Sequence, residues 1–238
     1  MKRTPSLRVC SRILLLLLPV VWRATAFAQA DQGLEQVLDV MDKAGENFRS
    51  AEADFVWQQY TSLVKETDTQ KGKIHFRKSG DEIQMAVDVI DPYPKNVLLS
   101  GGKLELFTPR TNQLTIYEVQ KNRGEFEAFL VLGFGGGGHS MLKSFDVKSL
   151  GSEKVNDLDT AKLDLTPKSA KIRNTFEHIV LWIDLARGVS VRQQLFQPGG
   201  DYRLADYSDI RINQKIPDSA FKLKTNAKTV TQSVTPRE

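Results

Sequence analysis

Phe48-Arg49-Ser50-Ala51-Glu52-Ala53-Asp54-Phe55-Val56-Trp57-Gln58 is the stretch where the apolar period of the chain changes. Before it, Leu34, Val37, Leu38, Met41, Ala44 and Phe48 recur at three- and four-residue steps. That stripe predicts an amphipathic helix with Asp31 as its N-cap. Within it, Phe55 and Trp57 alternate with Asp54, Val56 and Gln58, the period-two signature of a half-buried strand. One helix therefore feeds a β region.

The alternation continues downstream in Ile74 and Phe76, in Ile83, Met85 and Val87, in Val97 to Leu99, and in Leu104 to Phe107. Further runs stand at Leu114 to Tyr117, Leu163 to Leu165, Phe176 to Asp184, Val189 to Phe196 and Tyr202 to Ile212. Turn formers separate them: Ser79-Gly80-Asp81, Gly101-Gly102, Ala186-Arg187-Gly188 and Pro198-Gly199-Gly200-Asp201. A chain of hairpins of this kind predicts an antiparallel, strongly curved sheet. Residues 225–238, mostly polar with four threonines and closing after Pro236, are expected to be an unstructured polar tail.

Upstream, residues 1–28 read as an export signal, with Lys2, Arg3, Arg8 and Arg12 before an apolar run from Ile13 to Trp22 and Ala26-Phe27-Ala28 offering a small-x-small cut. The run is shorter than the roughly 20 residues of a spanning helix. Cleavage would remove five of 33 basic residues and no acidic one, leaving 28 against 29, which takes away the electrostatic case for a nucleic-acid partner. It would also remove Cys10, the single cysteine, so the exported chain, residues 29–224 plus the tail, has no disulfide and no thiolate nucleophile.

No reading of the remaining residues gives an enzyme. His75, His139 and His178 show no metal-ligand spacing, so no metal and no cofactor are expected. Gly135 to Gly138 lack the Gly-Lys-Ser/Thr ending of a phosphate loop, and Ser140 lacks a G-x-S-x-G elbow. The segment Glu125 to Phe134 is too apolar for a solvated loop. Beside the four glycines it reads either as a short helical lid on a flexible hinge or as an ordinary buried helix with a loose loop.

In order along the chain, these phrases resemble the LolA-type outer-membrane lipoprotein carriers. The resemblance rests on Phe48 to Gln58, Gly72 to Lys78, Leu99-Ser100-Gly101-Gly102-Lys103 with Pro109, Leu163 to Lys168, and Ile216 to Leu223. It implies a mainly β protein with some α, a half-open antiparallel β-barrel whose apolar groove is covered by helices. It also implies a monomeric periplasmic carrier of acylated lipoproteins or lipids, working between an inner-membrane lipoprotein-releasing transporter and an outer-membrane acceptor. Groove candidates by strand parity are Phe55, Trp57, Ile74, Phe76, Ile83, Met85 and Leu99, with Phe129, Leu130 and Leu132 from the lid; plain core packing remains open for each. The carriers' lid-latching arginine corresponds to Lys78, next to Arg77, and a lysine gives up the planar donor fork. Gly101 replaces the hairpin aspartate, and no tryptophan stands near Leu104-Glu105-Leu106. A periplasmic lipid-sensing module for envelope stress and a lipid hydrolase are the alternatives. The sequence shows neither a regulator's second domain nor a nucleophile with a histidine partner.

Overall fold

The computed structural model describes residues 25–79, 82–118 and 132–234. Helix α1 spans Thr25–Glu46. Asp31 is therefore inside the helix and not its N-cap, because the alanine-rich stretch before it continues the helix in the full-length chain. The rest of the export signal, residues 1–24, lies outside the described residues.

Among the described residues, twelve strands form a single sheet: β1 Ser50–Thr61, β2 Glu66–Ser79, β3 Glu82–Asp91, β4 Lys95–Ser100, β5 Lys103–Thr108, β6 Gln113–Glu118, β7 Phe145–Val155, β8 Leu158–Pro167, β9 His178–Asp184, β10 Val189–Phe196, β11 Tyr202–Ile212 and β12 Val230–Val234. Their order is β12-β6-β5-β4-β3-β2-β1-β11-β10-β9-β8-β7, so the sheet does not close on itself. All neighbours are antiparallel except β12, which pairs in parallel with β6. The mainly β, half-open architecture is as the sequence implied. Residues 230–234 correct the expectation of an unstructured tail: backbone pairing along an open edge holds them even though their side chains are mostly exposed and none joins a core cluster.

β1 to β6 form a meander, and β7 to β11 form a second one that returns to set β11 against β1. Of the connection between β6 and β7, which stand at opposite parts of the sheet, residues 132–144 are described. Leu132 and Phe134, near the end of that connection, are buried in the apolar clusters of one face. Its described part thus lies on the concave side. It ends in the short helix α2, Gly138–Met141, packed against α1.

The concave face carries two clusters. Val37, Leu38 and Met41 of α1 cover Leu163, Leu165, Ile179, Leu181 and Ile183 of β8 and β9, with Leu132 among them. A fully buried side chain of this size contributes about 1.5–3 kcal/mol, which explains why the amphipathic stripe of α1 lies here. The second cluster lines β1 to β5 and β11. A β-bulge opposite Ala53, with Asp209 at φ 49°, inserts one residue into β11, so Ile210 and Ile212 share a face with Tyr207 despite their odd spacing.

The convex face is covered over β3 and β4 by the C-terminal segment, where Ile216 and Phe221 pack on Ala86 and Leu98. His75 is buried beneath Phe221, and its Nδ1 lies 3.1 Å from Glu52 Oε2. Burial pushes its pKa down, with the Glu52 charge acting in opposition.

Candidate functional site

Strand alternation brings the seven strand residues named from parity into one place. Phe55, Ile74, Phe76, Met85 and Leu99 are buried together, and Trp57 and Ile83 pack against them. The registers explain why: Ala53 stands opposite Ile74, Ala51 opposite Phe76, Phe76 opposite Met85, and Met85 opposite Leu99. Phe55 stacks on Trp57 at 4.2 Å between ring centroids, and its ring covers Gly72, where an added Cβ would lie 2.7 Å from it.

Phe134 fills the centre of this concavity. It stacks on Phe76 at 5.2 Å and meets Tyr207 edge-on at 4.9 Å. Leu132, two residues earlier, belongs to the neighbouring α1 cluster. Phe129 and Leu130, the other lid residues named from sequence, lie outside the described residues. Sequence reasoning did not single out Phe134, Tyr207 or Gln193. Phe134 was legible as an aromatic residue among glycines, but the two strand residues carried no signal beyond ordinary alternation.

Hydrogen bonds fasten the crossing segment to β10. Ser190 N–H donates to Gly133 O at 2.8 Å, and Gln193 Nε2 donates to Leu132 O at 2.6 Å. Tyr207 donates its hydroxyl proton to Gln193 Oε1 at 3.3 Å, and burial raises its pKa well above the usual phenol range. Gly133 has φ 78°, and an added Cβ would stand 2.3 Å from Ser190 Cβ. At Gly138 it would stand 2.4 Å from Leu38 O. The expected glycine hinge is therefore a close-packed joint: absence of side chains lets the backbone touch α1 and β10.

Among the described residues, two openings adjoin this core. A cavity of about 280 Å³ lies at the C-terminal end of α1, lined by Phe48, Gly135, Val189, Ile210 and Ile212 with Lys43 and Arg187 among its polar neighbours. Another of about 210 Å³ lies beyond Trp57 at the opposite ends of β1 and β11.

Arg77 and Lys78 are the two lid-latch candidates. Because Phe76 points into the concavity, Arg77 points out of it. There it bonds Asp218 at 2.5 Å and Gln84 at 2.8 Å, and its guanidinium lies 4.2 Å above the Phe221 ring. It latches the C-terminal segment to the convex face. Lys78 is exposed, and its backbone N–H donates to Arg49 O at 2.8 Å.

His139 joins the glycine-rich joint to α1. Its Nδ1 lies 2.5 Å from Asp42 Oδ2 and its Nε2 lies 3.0 Å from Glu35 Oε2. Carboxylates only accept, so both ring nitrogens must carry protons, and the pair raises the histidine pKa, Asp42 more than Glu35. A raised folded value means that the stabilisation is fully present below about pH 6.5 and is lost as pH rises through that higher value. Thermal melts from pH 6 to 9 should show a decline that His139→Gln lacks, and an NMR titration should place the His139 midpoint above that of a free histidine. A midpoint at or below the free value would rule out the clasp. Among the described residues, Asp39, Asp42 and His139 bring possible ligand atoms within 4.8 Å of one another on this surface. Ser140 Oγ donates to Gly137 O at 2.6 Å and has no imidazole partner in these contacts.

The family model "Outer membrane lipoprotein carrier protein LolA" matches residues 46–224. The chain is 23% identical over 176 residues to an outer-membrane lipoprotein carrier protein of Dechloromonas aromatica (strain RCB), covering 74% of this chain and 77% of that one. Among solved structures it is similar to an uncharacterized conserved protein from Thermus thermophilus, at 12% identity and TM-score 0.54, over 85% of this chain and 100% of that one. It is also similar to MucB, at 13% identity and TM-score 0.52, over 85% of this chain and 66% of that one.

Proposed function

Because the chain belongs to the LolA family of outer membrane lipoprotein carriers, we propose that it shields the acyl chains of lipoproteins in its concave face during transfer from inner to outer membrane. It works in the periplasm after loss of residues 1–28 and does no covalent chemistry. The observation that carries this reading is the concavity itself: an aromatic plug, Phe134, sits on an apolar wall drawn from β1 to β5 and β11, fastened by hydrogen bonds and not by strand pairing. An acyl chain can take the place of such a plug. Each methylene drawn out of water is worth about 0.8 kcal/mol, so a lipoprotein's chains need cover between membranes.

The donor is an inner-membrane lipoprotein-releasing transporter and the acceptor an outer-membrane receptor, by family likeness. In the test, the exported form is incubated with a triacylated lipopeptide and then with vesicles. A soluble complex, followed by intact lipopeptide in the vesicles, is the expected result; failure to form the complex, or recovery of free fatty acid, would sink the proposal. N-terminal sequencing of that form should start within a few residues of Gln29. A lipid-sensing module is the second reading, since a half-open barrel with an apolar face would serve a sensor as well as a carrier. It predicts a complex that keeps its ligand when vesicles are added.

A further inference from the structure

The wall that holds Phe134 changes character along its length, and it does so on three adjacent strands at one level. On β1 the inward residues are Ala51, Ala53, Phe55 and Trp57, followed by Gln59; on β2, in the opposite direction, Phe76, Ile74 and Gly72 give way to Gln70 and Asp68. On β11, Tyr207 and Ala205 give way to Arg203. The pairings set Trp57 between Gln70 and Ala205, and Gln59 between Asp68 and Arg203. Trp57 is the last apolar rung.

Beyond it lies the cavity of about 210 Å³, lined by Trp57, Gln59, Asp68, Gln70, Lys95 and Arg203. Lys95 comes from β4, opposite Val89. Arg203 is held in place: its Nε donates to Gln59 Oε1 at 3.1 Å, and its guanidinium carbon lies 5.9 Å from the Trp57 ring centroid. Packing of the guanidinium among these strand ends removes part of its hydration, which lowers its pKa. Yet among the described residues neither Arg203 nor Lys95 has a carboxylate within ion-pair distance, although Arg77, Arg187, Arg192 and Arg211 each have one. Asp68 shares the cavity without pairing to either cation.

We propose that this mouth binds the anionic headgroup, a phosphate or a carboxylate, of an amphiphile whose acyl chain lies inward along Trp57 and Phe55. The inference rests on the carrier reading for the chain and adds the charge of the head. A guanidinium fixed by Gln59 presents its remaining donors as a fork suited to an oxyanion, and Lys95 adds a second, mobile cation. An aromatic floor, two cations and a cavity continuous with an apolar wall suit an amphiphile better than a free anion, which would meet no apolar partner, or a neutral head, which would leave both charges unanswered.

The test measures displacement of an environment-sensitive apolar dye from the exported protein by amphiphiles of one chain length: oleoyl-glycerol-3-phosphate, oleate and neutral monooleoylglycerol, with glycerol-3-phosphate as the unacylated control. The two anionic amphiphiles should bind about tenfold more tightly than the neutral one at low salt. Arg203→Gln with Lys95→Gln should abolish that preference while moving monooleoylglycerol by less than about twofold, and Asp68→Asn should strengthen it. The melting temperature of each variant, expected near wild type because these side chains lie at the rim, guards against misfolding. Equal binding of charged and neutral amphiphiles by the wild type overturns the proposal and leaves the carrier reading standing. Glycerol-3-phosphate binding as tightly as its oleoyl ester also overturns it, since the mouth would then be a free-anion site. Dye displacement by none of the amphiphiles overturns this inference, and the triacylated lipopeptide run in the same assay then decides the carrier reading separately.

Discussion

Phe134→Ala should lower the unfolding free energy by about 3–5 kcal/mol and raise the binding of an apolar dye to the folded protein several-fold. The ring is 1% exposed and meets Phe76 and Tyr207. Its removal forfeits burial and leaves a void that flanking strands can only partly close, the two terms that set the cost of a large-to-small change. Because the segment bearing it is not a strand of the sheet, that void faces the groove and should take up dye. Urea unfolding and dye titration on the same sample check both halves. Leu150→Ala, at a side chain 51% exposed on β7, should stay within about 0.5 kcal/mol of wild type. A Phe134→Ala protein with the wild-type urea midpoint would show that the ring plugs nothing.

Gly133→Ala is expected to be nearly as damaging for a different reason. A Cβ there would stand 2.3 Å from Ser190 Cβ on a backbone at φ 78°. Overpacking costs about 1–3 kcal/mol, and the left-handed region roughly 1–2 more for a residue with a Cβ. The crossing segment should lift from β10, breaking the bond from Ser190 N–H to Gly133 O. Hydrogen exchange at Ser190 should accelerate with the fall in melting temperature. Gly33→Ala is the control, because nothing lies within 4 Å of a Cβ at that helical position. There the substitution should stabilise by about 0.5–1 kcal/mol. Retained protection at Ser190 in Gly133→Ala would contradict the close-packed joint.

These two positions also mark how far the sequence alone could go. Parity identified the wall from Phe55 to Leu99 because one face of each strand meets the core and the other meets water or the C-terminal segment, so burial leaves a period-two trace. The same parity holds the reason why Arg77 had to point out of the concavity, once Phe76 was placed inward. β7 and β12 left little trace. Edge strands owe their pairing to the backbone, and Lys148, Gly151 and Gln232 carry no apolar rhythm. A run of glycines suggests freedom when read as composition. Only the nearness of Leu38, Phe48 and Ser190 reveals that it serves close approach. The charged mouth was hidden for a related reason: Lys95 and Arg203 are 108 positions apart in sequence and meet only through the order β4-β3-β2-β1-β11.

A sheet that never closes keeps two rims of backbone donors and acceptors, and a rim is a template on which another copy could polymerise. Each rim here is a poor template. β12 is five residues long and presents Thr231, Gln232 and Ser233 to solvent. β7 breaks its register between Ser149 and Ser152, with Gly151 at φ 89°, and carries the exposed charges Asp146, Lys148, Glu153 and Lys154. Shortness, a kink and charge are the features that deter edge-to-edge growth. Edge-to-edge growth is thus opposed at both rims without sealing the barrel, and the apolar wall needs no closing strand to keep copies apart.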